Sequence, residues 1–396
     1  VMSALMSAGC QVVDLHGKPV PVVRHYVKNN PAAAAINVRK YPGNNRLTLI
    51  EFFDRLGGYL DRNRERKVES AFFREDFHRA DPESLGNIDE AVQPVEAYAR
   101  DFLKFLPEIR MERRPRIVVD YGYSSVSPIF PQILASAGIE AISLNSFNDA
   151  RSAPRRVEEI QSHLQNLQQI TASLGYDLGA LVTNEGEGLH LVDDTGLVVQ
   201  GNALFATLCS LMARFRPGAQ VVLGVTAPTR LEQLLLKEGA RVHRCRSGIR
   251  DLMAAAQEPG IDFAGNEAGG FIFPQLHPGF DSMFTLVNLV KMLQIEGLKL
   301  SDIVAELPEF HLAFDHVPCP WESKGRVMRQ LAELHAEGQK VELVDGIKVY
   351  DGDTWSLVLP DSFEPVFHVF AESSSLMESK AIVAETRARL LKLAGE

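Results

Sequence analysis

Apolar residues recur along this chain in two rhythms, a helical one and a strand-like one, and a glycine often marks the change. SAGCQVVDL at 7–15, SAGIEAISL at 136–144 and KEGARVHRC at 237–245 share one design. In each, an amphipathic helix ends at Gly9, Gly138 or Gly239 and a strand follows. Glycine tolerates the left-handed conformation that closes a last helical turn. Helix–Gly–strand is common in α/β proteins, but the similar flanks of these copies predict three related α/β domains.

The first unit, 1–88, reads as a strand at 11–15, a helix entered through PVPVVR, two strands (32–38 and 47–53) and a helix in ERKVESAFFREDF. The polar, acidic segment DPESLGNIDEAVQ predicts a boundary. The second unit, 89–199, opens with the helix VEAYARDFLKFL. The apolar centre of RIVVDYGYSS follows, a pattern expected for a strand covered on both faces. The third, 200–311, repeats helix and strand, with a glycine-rich loop AGNEAGG at 264–270 before FIFP. After 312 the pattern changes. DGIKVYDGDTWSLVLPDSFEPVFHVFAES alternates apolar and polar residues, predicting antiparallel strands with helices at 323–337 and 376–394, a smaller α+β domain over 312–396.

Within the second unit, YDLGALVTNEGEGLHLVDDTG (176–196) predicts a strand at 178–182, a tight loop and a strand at 189–192. Glu185 and Glu187 alternate with Gly186 and Gly188, so two oxygen ligands could face one hard cation such as Mg²⁺. A hairpin with water-facing acids is the plain reading of the same residues.

Composition narrows the classes. Hydrophobic residues at 45% and charged residues at 23% are globular values. A net charge of −10 argues against a nucleic-acid partner, since phosphate backbones demand a basic face. No apolar run has the length of a membrane span and no signal peptide is visible, so no membrane partner is expected. Cys10, Cys209, Cys245 and Cys319 are scattered, as expected of reduced thiols in a cytoplasmic protein. The start at Val1 reads as helix interior, which predicts a piece of a longer protein. No dinucleotide fingerprint, Walker loop or H-E-x-x-H motif occurs.

The frame D-L-G followed by alternating acids and glycines resembles the metal loop, D-G-D-x-D-R, of the α-D-phosphohexomutases (phosphomannomutase and phosphoglucomutase). The resemblance extends over nearly the whole chain. It implies three α/β domains of mixed sheets and a smaller α+β domain around a central cleft, the first domain being truncated. It also implies four functional loops: one with a phosphorylated serine, one holding Mg²⁺, one reading sugar hydroxyls and one gripping phosphate. SALMSAG, VPVVR and FFREDFHRA further resemble mutase-like modules found behind a mannose-1-phosphate (sugar-phosphate) nucleotidyltransferase, which implies such an upstream domain.

Each loop departs from the family pattern. The serine loop T-A-S-H-N-P falls on Asn37 to Pro42, so the phosphoserine position is Arg39, which leaves no catalytic residue to name. The metal positions fall on Thr183, Glu185 and Glu187, and the arginine after them becomes Gly188. With one acid fewer the resemblance implies at most weak Mg²⁺ binding, and no other cofactor is expected. Glu267 matches the sugar-reading glutamate of G-E-x-S-G-H, and Arg250 matches a lysine that approaches the phosphosugar; a solvated loop acid and an exposed helical arginine are the plain readings. The phosphate loop R-P-S-G-T-E-P becomes Leu359 to Pro365, leaving Ser362 and, at a second arginine position, His368 as weakened phosphate contacts beside Asp361.

Three readings follow. The first is a mutase-fold module of sugar-nucleotide (GDP-mannose-type) metabolism, without mutase activity. It would have a structural, assembly or regulatory role and retain at most a sugar phosphate as ligand; a homo-oligomer is compatible with it. The alternative is an active phosphohexomutase interconverting hexose 1- and 6-phosphates by an altered relay. The third is an unrelated binding protein of repeated α/β domains.

Overall fold

The computed structural model describes residues 1–41, 44–108, 113–149, 151, 156–334, 340–361 and 364–395, with backbone alone at 44, 45 and 184. The first unit contains α1 (Met2–Ser7), β1 (Val12–Asp14), α2 (Val20–Asn29), β2 (Ala34–Tyr41), β3 (Asn44–Asp54), α3 (Arg62–Phe73) and β4 (Ile88–Glu90). Pro19 and Pro21 open α2, where their missing N–H groups leave no bond unmade. The helix then buries Val20, Val22, Val23, Arg24, His25 and Val27.

The second unit carries α4 (Pro94–Lys104), β5 (Arg116–Asp120), α5 (Phe130–Ser136), β6 (Glu140–Leu144), α6 (Val157–Leu174), β7 (Leu178–Thr183), β8 (Gly188–Val192) and β9 (Val198–Val199). Its sheet runs β6-β5-β7-β8-β9; the first three strands are parallel and the last two antiparallel. All six residues of β7 are buried, as its continuous apolar run requires.

The third unit repeats this order: α7 (Gly201–Phe215), β10 (Gln220–Gly224), α8 (Thr229–Lys237), β11 (Arg241–Cys245), α9 (Ile249–Ala256), β12 (Phe263–Gly265), β13 (Phe271–Ile272), α10 (Ser282–Glu296) and α11 (Leu300–Glu306). Its sheet is β11-β10-β12-β13, again parallel until the last strand. Helices α7 and α10 are apolar on nearly every side and lie in one hydrophobic core shared by the second and third units.

The fourth unit is β14 (Leu312–Pro318), α12 (Trp321–Leu334), β15 (Lys340–Glu342), β16 (Ile347–Asp351), β17 (Thr354–Pro360), β18 (Val366–Glu372) and α13 (Leu376–Gly395). Its antiparallel sheet, β14-β18-β17-β16-β15, packs one face on the two helices through Val317, Val327, Phe367, Val369 and Val383. The other face turns Trp355, Leu357 and Leu359 onto Val225 of the third unit.

The fold is thus mixed α/β with several sheets and a smaller α+β end. Gly9, Gly138 and Gly239 follow α1, α5 and α8 with φ of +85°, +79° and +84°, the left-handed conformation that the repeated pattern demands. The first unit differs from the other two. Its strands form two separate pairs, β1 with β4 in parallel and β2 with β3 antiparallel. The acidic segment that reads as a boundary supplies β4; three exposed residues carry no alternation by which to recognise a strand. Among the described residues no helix is long and apolar enough to cross a membrane.

Candidate functional site

Strands β7 and β8 are joined by a single tight turn, Asn184–Gly186, at the carboxyl end of the parallel strands, where open α/β sheets bind ligands. Glu185 adopts φ +56°, an uncommon conformation for a residue with a side chain. Its carboxylate accepts hydrogen bonds from Ser125 N, at 3.1 Å, and from Ser125 Oγ. Glu187 turns the other way, toward the first unit, and is 6% exposed.

Two guanidinium groups meet Glu187. Arg24 from α2 is fully buried; its Nη2 lies 3.1 Å from Glu187 Oε1, and its Nη1 donates to Gly57 O at 2.7 Å. Its guanidinium carbon lies 3.9 Å from the Phe53 ring centroid and 4.7 Å from that of Tyr59. Gly279 closes over it: a Cβ there would stand 2.4 Å from Arg24 Cδ, which explains the glycine. Arg39 from β2 places Nη2 2.8 Å from Glu187 Oε2.

Strand alternation sets the second half of this network. Asn37 and Arg39 share one face of β2, and Glu51 lies across from Asn37 on β3. Glu51 accordingly accepts from Arg39 Nη2 (2.9 Å), Asn37 Nδ2 (2.8 Å) and Tyr59 Oη (2.7 Å), and ion-pairs with Arg39 Nε at 2.8 Å. Burial works against the Glu51 carboxylate, but Arg39 and these hydrogen bonds hold its pKa below the usual range. Burial also opposes the Arg39 charge, and Glu187 and Glu51 outweigh it, so its pKa is raised. The Tyr59 phenol is pushed up by burial and by Glu187.

These residues do not fit a divalent cation. Both Glu187 oxygens face guanidinium groups, Glu185 Oε2 is taken by Ser125, and the third family position is the neutral Thr183. The two guanidinium groups occupy the positions from which a cation would approach the Glu187 oxygens. Among the described residues no group of three or more His, Cys, Asp or Glu side chains is placed to hold a metal.

A cleft of about 270 Å³ lies between the third and fourth units, and Glu267 and His368 both line it. The Glu267 turn joins β12 to β13; Asn266 Oδ1 accepts from Ala268 N (3.2 Å) and Gly270 N (3.1 Å), which shapes it. Leu189 N donates to Gly269 O at 3.0 Å, so this turn is tied to the strand that leaves the Glu185–Glu187 loop. Arg250 lies outside the cleft lining, bound through both terminal nitrogens to Glu65 of α3, with Nη2 at 2.5 Å.

At the fourth loop, His368 Nε2 is 2.7 Å from Asp361 Oδ2, and Glu364 N donates to Asp361 Oδ1 at 2.7 Å. Ser362 lies outside the described residues. Lys324 of α12 folds its Nζ against the loop, donating to Asp361 O (2.6 Å) and Glu364 O (2.5 Å). Sequence reasoning passed over Arg24, Tyr59, Glu51 and Lys324. The signal for Arg24 was available: an arginine stands inside an otherwise apolar stretch, VPVVRHYV. Glu51 carried the same signal inside LTLIEFF, and nothing local marked Tyr59 or Lys324.

Fold and loops together resemble those of sugar-phosphate mutases. Residues 1–79 match the phosphoglucomutase/phosphomannomutase alpha/beta/alpha domain I and residues 200–310 match domain III of the same family. These matches, with the fold, support the α-D-phosphohexomutase family for this chain. It is 28% identical over 391 residues to a phosphoglucomutase/phosphomannomutase of Thermococcus kodakarensis, covering 96% of this chain and 83% of that protein. It is 26% identical over 400 residues to a probable phosphoglucosamine mutase of Methanothermobacter thermautotrophicus, covering 100% and 87%. Among solved structures, a phosphoglucomutase/phosphomannomutase family protein from Burkholderia thailandensis superposes with a TM-score of 0.80 at 20% identity, over 98% of this chain and 84% of that one. At that identity the likeness speaks for the fold alone.

Proposed function

We propose that this chain is a phosphohexomutase-fold module that engages sugars without interconverting hexose 1- and 6-phosphates, and that its role is structural, assembly-forming or regulatory. One observation carries the reading. Arg39, on which the resemblance puts the phosphoserine, is paired to Glu187, on which it puts a metal ligand. A mutase relay must hand a phosphoryl group to the sugar and take one back, and it needs positive charge free to stabilise that transfer. A guanidinium bound to two carboxylates serves neither step. A coupled assay with glucose and mannose phosphates, Mg²⁺ and a bisphosphate activator tests this: the expected rate is that of a protein-free blank. Turnover that copurifies with the chain and scales with its concentration overturns it.

The second reading is an active phosphohexomutase with an altered relay. The names of the relatives favour it over the first, because they are mutases aligned along nearly this whole chain. Ser125, whose Oγ donates to Glu185, is a hydroxyl in contact with the loop and the acceptor to test. Turnover lost in Ser125→Ala and kept in Arg39→Ala would establish this reading. Service beside a nucleotidyltransferase domain in sugar-nucleotide metabolism belongs to the first reading and is tested by the reading frame upstream of Val1.

A further inference from the structure

A cavity of about 650 Å³ lies where the first three units meet. Asp262, part of its lining, immediately precedes β12, so the cavity sits at the amino end of that strand, whereas the Glu267 turn leaves the carboxyl end. Three helices end on it: the C-caps of α4, α7 and α9 are Phe105, Arg216 and Gln257, and all three residues line the cavity. Leu106, Met212, Phe215, Ile261 and Phe273 add an apolar wall. Asn288 of α10 lines it too, although only 4% exposed. Its Nδ2 donates to Phe284 O at 2.8 Å, while its Oδ1, not fully sealed, accepts from no described residue.

The charged side chains around the cavity offset one another, Lys28 and Arg216 against Glu258 and Asp262. Arg216 Nη1 lies 2.5 Å from Asp262 Oδ1. Lys28 Nζ spends its three N–H groups on the carbonyls of Pro274 (3.1 Å), Gln275 (3.2 Å) and Leu276 (2.9 Å), so it has no donor left for an anion. The backbone then decides the sign of a ligand. Each helix C-terminus presents unsatisfied carbonyls and roughly half a negative charge. Three such ends border one cavity together with the open Asn288 oxygen, and phenylalanine faces add their own attraction for a cation. An ammonium group meets acceptors and negative dipole ends there; a carboxylate must compete with Asp262 for Arg216. The volume falls within the range of small-molecule pockets.

We propose that this cavity binds a small organic cation, an apolar ring carrying an ammonium group, with the ring among the phenylalanines and the ammonium at Asn288 Oδ1 and the helix ends. The inference stands whether or not the chain interconverts hexose phosphates. Calorimetric titration of the full chain at neutral pH and low salt, with naphthylethylamine, naphthylethanol and naphthylacetate, tests it; these compounds share a ring and differ in charge. The protonated amine should bind about fivefold more tightly than the alcohol, and the acetate more weakly than either. Asn288→Leu removes the open acceptor and should weaken the amine by about tenfold. Phe215→Ala should weaken it by about threefold to tenfold. Phe215 is 37% exposed, so its variant should fold even where the Asn288 variant does not; an unchanged circular dichroism spectrum and melting midpoint check that. The alcohol or the acetate bound as tightly as the amine overturns the inference. So does the absence of heat from the amine at millimolar concentration, or an amine affinity unchanged in folded Phe215→Ala or Asn288→Leu.

Discussion

Replacing Glu187 by glutamine probes the charge network between the first and second units. The substitution keeps shape and removes one negative charge that faces two guanidinium groups. Arg39 keeps Glu51 at 2.8 Å, so the loss falls mainly on Arg24, which is fully buried and retains only the Gly57 carbonyl and the faces of Phe53 and Tyr59. Stripping a buried charge of its partner costs ~3–5 kcal/mol. The remaining carbonyl and aromatic contacts put the expectation at the low end, ~3 kcal/mol. At about 2–4 °C per kcal/mol for a folding unit of this size, the first thermal transition should fall by roughly 6–12 °C. The double variant Arg24→Met, Glu187→Gln removes both charges and should recover ~2 kcal/mol of that loss, since a buried pair can be replaced by apolar packing at little cost. Differential scanning calorimetry with and without MgCl₂ completes the test. Magnesium at a hundredfold excess over its dissociation constant would stabilise a working site by ~2.7 kcal/mol; here no shift is expected. A Glu187→Gln midpoint within about 1 °C of the parent would refute the charge network. Magnesium-dependent stabilisation of the parent, lost in the variant, would refute the substitution of guanidinium for metal.

Other outcomes follow from the same geometry. Lys348 is buried, its Nζ donating to Val225 O at 2.9 Å and lying 3.8 Å from the Trp355 ring, and burial first, then Arg244, lowers its pKa from 10.5 to about 8. Between those values the unfolded chain binds the extra proton, so stability should rise with pH across that window relative to Lys348→Met; identical pH profiles in urea titrations would exclude it. Tyr98 donates to Asp281 Oδ2 at 2.7 Å inside the core, where Asp281 also contacts His277 (3.0 Å) and caps α10 through Phe284 N (2.9 Å). Tyr98→Phe should cost ~1.5–3 kcal/mol, read as a lower urea midpoint with unchanged slope.

The chain by itself determined the α/β class, the helix–Gly–strand units and the change of character after 312. Those features are local: a period of 3.6 or 2 and a glycine at a helix end arise from backbone geometry and one-sided burial within a dozen residues. The same logic made the 178–192 hairpin legible, and the repeated glycines took the conformation that their place requires. The pairing of β4 with β1 was not legible, because three exposed residues show no period. Nor were the partners of the candidate site. Glu187 stands 163 positions from Arg24 and 148 from Arg39, and Arg250 stands 185 from Glu65. A charge in sequence declares only that it must be solvated or paired; which opposite charge it meets depends on how whole units dock. Tertiary structure therefore decided that the two glutamates of one loop face different partners, and that the cavity lined by Glu267 and His368 is walled by phenylalanines rather than guanidinium groups.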